Sequence, residues 1–295
     1  MTAPDASSGG IPGGDAAKAV PLPTLIAALE ASARTVRTRC GTGELVWRRW
    51  GAGRPLVLLH GGAGSWNHWA RNIGTLMRSR EVWACDLPAL GESADPPEPG
   101  GLEGIVAATA DGLDTLLPGG RAFDIAGFSF GSLIGTCIAA RGPGRVRRMV
   151  ITGAASLGLP DPRMDLRGWR RARDPAERLA IHGHNFRTLM VAARTEDPDG
   201  VALHAGNVER ARFFGGEVAA LPITRDTIGT IDVERVDAIY GALDPVVRCD
   251  PDSARTVLQQ ARPGLRFTTI ADTGHWVPYE APSAFEAALL LSLDD

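Results

Sequence analysis

Gly127-Phe128-Ser129-Phe130-Gly131 sets a serine two positions from a glycine on either side. Small neighbours at that spacing suit a turn tight enough to hold a nucleophile in strained backbone. A hydroxyl attacks a carbonyl only when a base takes its proton and a third group orients that base. The six histidines are His60, His68, His182, His184, His204 and His275. Of these, His275 lies in the loop Ala271-Asp272-Thr273-Gly274-His275-Trp276, just past an apolar strand-like run. Asp244, in Gly241-Ala242-Leu243-Asp244-Pro245, follows another such run. Ser129, His275 and Asp244 are the expected nucleophile, base and orienting acid. Asp237 opens a strand, Asp272 is too near His275 in sequence, and Asp250 and Asp252 read as helix-start residues.

The chemistry also needs donors for a developing oxyanion. The loop His60-Gly61-Gly62-Ala63-Gly64 follows a buried strand, and its glycines let backbone approach a substrate closely. The amides of Gly62 and Phe130 are the expected pair. His60 is expected to fix this loop, and His68 to do the same or to line the pocket. Trp66, Trp69, Trp276, Phe128 and Phe130 would form an apolar acyl site or ordinary core.

The elements that must position these groups have a clear rhythm. A helical pattern at Leu22, Leu25, Ile26 and Leu29 precedes two strand-like pieces near 35–40 and 44–50, split by Gly41 and Gly43 as in a hairpin. Leu56-Val57-Leu58-Leu59 is continuously apolar, as a strand buried on both faces must be. Further strands at 81–85, 123–126 and 146–151 alternate with helices at 67–79, 102–117 and 130–141. That alternation predicts a parallel sheet covered by helices on both faces. Residues 156–232 break it: they are helical and polar, with six arginines between Arg163 and Arg178. Asp161, Asp165, Asp174 and Glu177 balance that run, so a solvated face is expected. Strands return at 236–240 and 265–270, before a last helix at 283–293. The expected organisation is a flexible tail at 1–21, a core at 22–155 and 233–295, and a helical cap at 156–232. Asp244 and His275 then fall beyond the C-terminal ends of strands, where parallel sheets collect ligands.

Composition narrows the function classes. The 36 glycines and 21 prolines are roughly a fifth of 295 residues, turn-rich but short of the disordered range. A net charge of -3 and a pI near 6.1 exclude a dedicated nucleic-acid binder. Cys40, Cys85, Cys137 and Cys249 form no CxxC pair, which argues for reduced thiols. With an early Asp5, no signal-like apolar core and no run near 20 apolar residues, a cytoplasmic protein with no membrane partner is expected. His182 and His184, two apart, do not share a helical face, so no metal is expected. Gly62-Ala63-Gly64-Ser65-Trp66-Asn67 fails as a dinucleotide fingerprint at its third glycine, which is Asn67. The chemistry calls for no cofactor and for a small-molecule substrate, with a homo-oligomer left open.

Taken in order, His60-Gly61-Gly62, Asp86-Leu87-Pro88 with Gly91 and Ser93, the Ser129 pentapeptide, Asp244 and Gly274-His275-Trp276 resemble the α/β-hydrolase superfamily from about residue 35 to the end. The resemblance implies a mostly parallel sheet with a helical cap inserted between two strands. It also implies a serine hydrolase acting on a carboxylic ester or related carbonyl through an acyl-enzyme. His60-Gly61-Gly62, Ser65-Trp66-Asn67 and Gly274-His275-Trp276 further resemble the meta-cleavage product hydrolases, serine enzymes that cut carbon–carbon bonds of dienoate diketones. That family has Asn where Phe128 stands, and a cap arginine for the substrate carboxylate, a role for Arg210 or Arg212. Asn67 and Trp276 are the other expected substrate contacts. Carboxylesterases fit the same motifs, and a non-catalytic small-molecule sensor is a third reading. A serine at 129 excludes the aspartate-nucleophile epoxide hydrolases and haloalkane dehalogenases.

Overall fold

The computed structural model describes residues 10–160, 162–193 and 196–294. Strands β1 (Arg34–Cys40) and β2 (Gly43–Trp50) form a hairpin whose turn rests on Gly41 at a φ of 56°. They are followed by β3 (Arg54–Leu59), β4 (Arg80–Cys85), β5 (Phe123–Phe128), β6 (Val146–Thr152), β7 (Arg235–Gly241) and β8 (Arg266–Ile270). The sheet order is β1-β2-β4-β3-β5-β6-β7-β8, antiparallel across β1, β2 and β4 and parallel from β4 onward.

Among the described residues twelve α-helices run in chain order: α1 (Asp15–Lys18), α2 (Leu22–Ser32), α3 (Ala70–Leu76), α4 (Gly101–Leu116), α5 (Phe130–Arg141), α6 (Pro175–Asn185), α7 (Pro198–Arg210), α8 (Gly216–Ala219), α9 (Ile223–Ile228), α10 (Pro251–Ala261), α11 (Val277–Glu280) and α12 (Pro282–Asp294). Alternate residues of β3 explain its unbroken apolar run. Val57 and Leu59 join Ile105 of α4 and Leu133 of α5 in one core cluster. Leu56 and Leu58 join Ile73 of α3 and Phe285 of α12 in the cluster on the other face. Both faces of a parallel strand are buried, so neither set of alternate positions tolerates polarity.

Residues 10–21, expected within a flexible tail, pack on the core instead; residues 1–9 lie outside the described residues. The Gly14 N–H donates to Arg71 O at 3.0 Å and to Glu286 Oε1 at 2.9 Å, and the Asp15 N–H donates to Ser283 Oγ. These contacts use backbone donors and close glycine approach, which leave no hydrophobic period to read.

The insertion between β6 and β7 carries α6 through α9. Asp174 caps α6 by accepting from the Glu177 N–H at 2.8 Å, with Pro175 in the first turn. A π-helical turn (Phe186–Met190) continues α6, and α7 folds back beside it. Helix α9 is anchored to the core: Ile228 is fully buried there, and Arg262 donates to the carbonyls of Ile228, Ile231 and Val233. All six arginines from Arg163 to Arg178 are exposed, with Arg167 paired to Asp165 and Arg173 to Glu177. Among the described residues no helix is long and apolar enough to cross a membrane.

Candidate active site

Strand β5 ends in a turn that puts Ser129 at φ 50° and ψ -115°, a left-handed conformation that costs a non-glycine residue on the order of 1–3 kcal/mol. The Ser129 N–H donates to Thr152 O at 2.8 Å, tying the turn to β6. The flanking glycines are there for space. A Cβ on Gly131 would lie 2.0 Å from Leu59 O, and one on Gly127 would lie 2.7 Å from Gly131 O. Ser132 supports the turn from below, its hydroxyl donating to Gly127 O at 2.8 Å. Helix α5 starts at Phe130, so the positive end of its dipole lies beside the serine.

Beyond β7 and β8, Asp244 and His275 meet. His275 Nδ1–H donates to Asp244 Oδ2 at 2.9 Å, and both side chains are almost wholly excluded from solvent. The second oxygen of Asp244 accepts from the Val246 N–H at 2.9 Å, which fixes the carboxylate plane. His275, Asp244 and Ser129 lie in the loops after β8, β7 and β5 of the parallel part of the sheet, β6 separating β5 from β7, and His275 and Ser129 border one cavity of about 600 Å³.

The loop after β3 completes the site. The Gly64 N–H donates to Gly61 O across a turn with Ala63 at φ 48°. His60 Nε2 accepts from the Leu87 N–H at 2.9 Å while Nδ1–H donates to Gly61 O at 2.8 Å. That pattern needs a neutral ring, and burial pushes the His60 imidazole below its ordinary value. His68 accepts from the Gly61 N–H, and burial, then the nearby His60, His204 and His275, hold its pKa well below the ordinary value. With the Gly61 donor occupied, the Gly62 and Phe130 N–H groups have no protein partner among the described residues. A Cβ on Gly62 would be 3.8 Å from Phe130 Cβ, so the two residues are neighbours at the cavity that both border.

Four expected substrate contacts lie elsewhere. Trp276 is fully buried, stacked on Tyr279 at 4.2 Å with its indole N–H donated to His68 O. Asn67 and Asn207 exchange side-chain hydrogen bonds at 3.2 and 2.7 Å, and Arg210 donates to Asn207 Oδ1 at 3.0 Å. Asn67 and Arg210 border a separate cavity of about 230 Å³. Arg212 donates to Asp95 Oδ1 and Ser93 O. Asn67 and Arg210 join the post-β3 segment to helix α7 through Asn207, Arg212 joins the segment after α7 to the loop after β4, and Trp276 fills core, so their polar atoms are already engaged. Asp86 likewise holds backbone, accepting from the Trp66 N–H at 2.8 Å and the Glu92 N–H at 3.0 Å.

Two residues that sequence reasoning missed act on His275. Gly153, at φ 51°, is pressed against the imidazole; its only sequence signal is a glycine directly after the strand that neighbours β5. Glu280 accepts from the N–H groups of Gly274, Ala192 and Ala193 at 2.7, 3.1 and 2.6 Å. It thereby ties the histidine loop to the cap. His182 pairs with Glu209, and His184 with Asp165. Among the described residues no three His, Cys, Asp or Glu side chains group as metal ligands.

A largely parallel sheet with a strained serine after one of its central strands, sharing a cavity with the histidine of a buried His–Asp pair, is the arrangement of an α/β-hydrolase. The sequence pattern of the alpha/beta hydrolase family matches residues 56–288, and the chain belongs to that family. It is 35% identical over 113 residues to 2-hydroxymuconate semialdehyde hydrolase of Pseudomonas sp., covering 37% of this chain and 40% of that one. It is 38% identical over 111 residues to 2-hydroxy-6-oxo-2,4-heptadienoate hydrolase of Pseudomonas putida, covering 36% and 40%. The matches thus span well under half the length of these relatives. Among solved structures, a carboxylesterase from Bacillus subtilis superposes with a TM-score of 0.72 at 17% identity, covering 93% and 96% of the two chains. A meta-cleavage product hydrolase from Pseudomonas fluorescens gives 0.70 at 19% identity, covering 88% and 97%. At these identities the structures speak for the fold alone.

Proposed function

We propose that the protein is a serine hydrolase of small carboxylic esters, with Ser129 as nucleophile, His275 as base and Asp244 as the acid that orients it. The observation that carries this reading is the buried Asp244–His275 hydrogen bond in a cavity that Ser129 also borders. In the mechanism, His275 Nε2 takes the Ser129 proton as Oγ attacks the ester carbonyl. Asp244 holds the imidazole in the tautomer that leaves Nε2 free and stabilises the imidazolium. The Gly62 and Phe130 N–H groups receive the oxyanion, each worth about 3 kcal/mol in a water-excluded site. His275 then protonates the departing alcohol, and water, activated the same way, releases the acid from Ser129. The reading needs no cofactor. Four free cysteines, two of them buried, support placing it in the cytoplasm.

Hydrolysis of p-nitrophenyl butyrate, abolished in Ser129→Ala with the melting temperature kept, tests the assignment. Full turnover by that variant overturns it. A second reading, carbon–carbon hydrolysis of a dienoate, is favoured by the 35% and 38% identities to two hydrolases of that chemistry. Turnover of 2-hydroxy-6-oxo-2,4-heptadienoate faster than of any ester would put it first.

A further inference from the structure

We propose that the site accepts only substrates that are uncharged near the scissile carbonyl, and that it excludes a carboxylate two or three carbons away. The inference rests on Ser129 being the nucleophile, and it deepens that reading by naming the substrate class. Its basis is the wall of the cavity. Ala154, Leu157, Leu159, Met164, Leu189 and Val247 are typical of it, and among the described residues lining it none is Lys, Arg, Asp or Glu. Among the described lining residues only three side chains carry a hydroxyl or ring nitrogen: Ser129, His275 and Ser156. Ser156 is spent on the carbonyl of Val218 and His275 Nδ1 on Asp244. The two free backbone donors serve the reacting carbonyl.

Three arginines of the surrounding segments contribute no side chain to this wall. Arg210 is turned to Asn207 and the smaller cavity, and Arg212 to Asp95. Arg170, exposed and not part of the wall, stacks on the ring of Trp169 and on that of the lining residue Phe214 at 4.8 and 4.9 Å. A carboxylate next to Ser129 would therefore give up its hydration with no cation among the described lining residues in return, which disfavours its binding. A neutral acyl or alkyl group gains by the same burial.

The experiment compares kcat/KM for p-nitrophenyl methyl succinate and p-nitrophenyl hydrogen succinate, which differ by one methyl group and one charge. The neutral ester is expected to be preferred by about 100-fold or more. In Met164→Arg, checked for folding by its melting temperature, the preference is expected to shrink by about 10-fold as the acid ester gains a partner. Rates within about 3-fold of each other in the wild type, or an unchanged ratio in the folded variant, overturn the inference. If neither ester is turned over, the hydrolase reading falls, and the wall is tested by binding. Dimethyl succinate should then displace the neutral dye Nile red where monomethyl succinate does not. Equal displacement, or a dye that does not bind, overturns the inference.

Discussion

Gly153 lies against His275 so closely that a Cβ there would be 2.9 Å from both Cε1 and Nδ1 of the ring, and 3.3 Å from Asp244 Oδ2. The histidine and its carboxylate are thus held from behind by a backbone with no side chain. Gly153→Ala is expected to push the imidazole off line, lowering kcat about 100-fold, while KM for a p-nitrophenyl ester changes little. Its left-handed φ of 51° adds about 1 kcal/mol of strain. An alanine variant with wild-type kcat would show that the ring has room to shift.

On the proposed triad, Asp244→Asn should lower kcat by about 10⁴-fold, as when asparagine forces the wrong tautomer on a catalytic histidine. Steady-state kinetics with p-nitrophenyl butyrate would show it, and a loss of under about 10-fold would remove Asp244 from that role.

Glu280 gathers three backbone N–H groups from the histidine loop and the cap. Charge-assisted bonds of this kind are each worth about 1.5–3 kcal/mol. Glu280→Ala should lower kcat about 10-fold or more, with Glu280→Gln recovering part of the loss. Equal kinetics in all three proteins would show that the cap and the proposed base His275 are not coupled through this carboxylate.

The glycines of the site separate by the space around them. Gly131→Ala meets Leu59 O at 2.0 Å and is expected to cost at least about 2 kcal/mol, lowering the urea midpoint. Gly62→Ala meets nothing closer than 3.8 Å and should stay within about 0.5 kcal/mol. The reverse order would contradict the packing described for the elbow.

Buried histidines make stability depend on pH. Burial, with His182 adding to it, lowers His204 from 6.5 to about 4, and His60 and His68 are shifted down as well. A depressed folded pKa means that the unfolded chain binds protons first. The contribution is therefore complete above pH 6.5 and drains away as pH falls toward the folded value. For His204 alone the loss between pH 6.5 and 4 is about 3 kcal/mol. The urea midpoint should fall steadily from pH 7 to 5, and less steeply in His204→Asn. A midpoint flat over that range would show these rings to be solvated.

The order and type of the strands were readable because burial on both faces writes itself as uninterrupted apolar sequence, as in Leu56-Val57-Leu58-Leu59. Ser129, Asp244 and His275 were readable as candidates because a strained elbow needs its glycines and because each polar residue follows a strand end. The packed segment at 10–21 was not, since Gly14 and Asp15 are held through backbone donors that any sequence possesses. Trp276, Asn67, Arg210 and Arg212 also escaped. Residue type says what a side chain can donate, and only its neighbours decide whether that donor is already used.

By itself, then, the amino-acid sequence determined the alternation of elements and the local turn at Ser129, both governed by contacts between residues near in the chain. Tertiary structure alone decided the rest: that Gly153 supports His275, that Glu280 ties the His275 loop to the cap, and that the wall around Ser129 holds no cation among the described residues. Those facts join residues tens of positions apart, and they depend on directions of approach that periodicity does not encode.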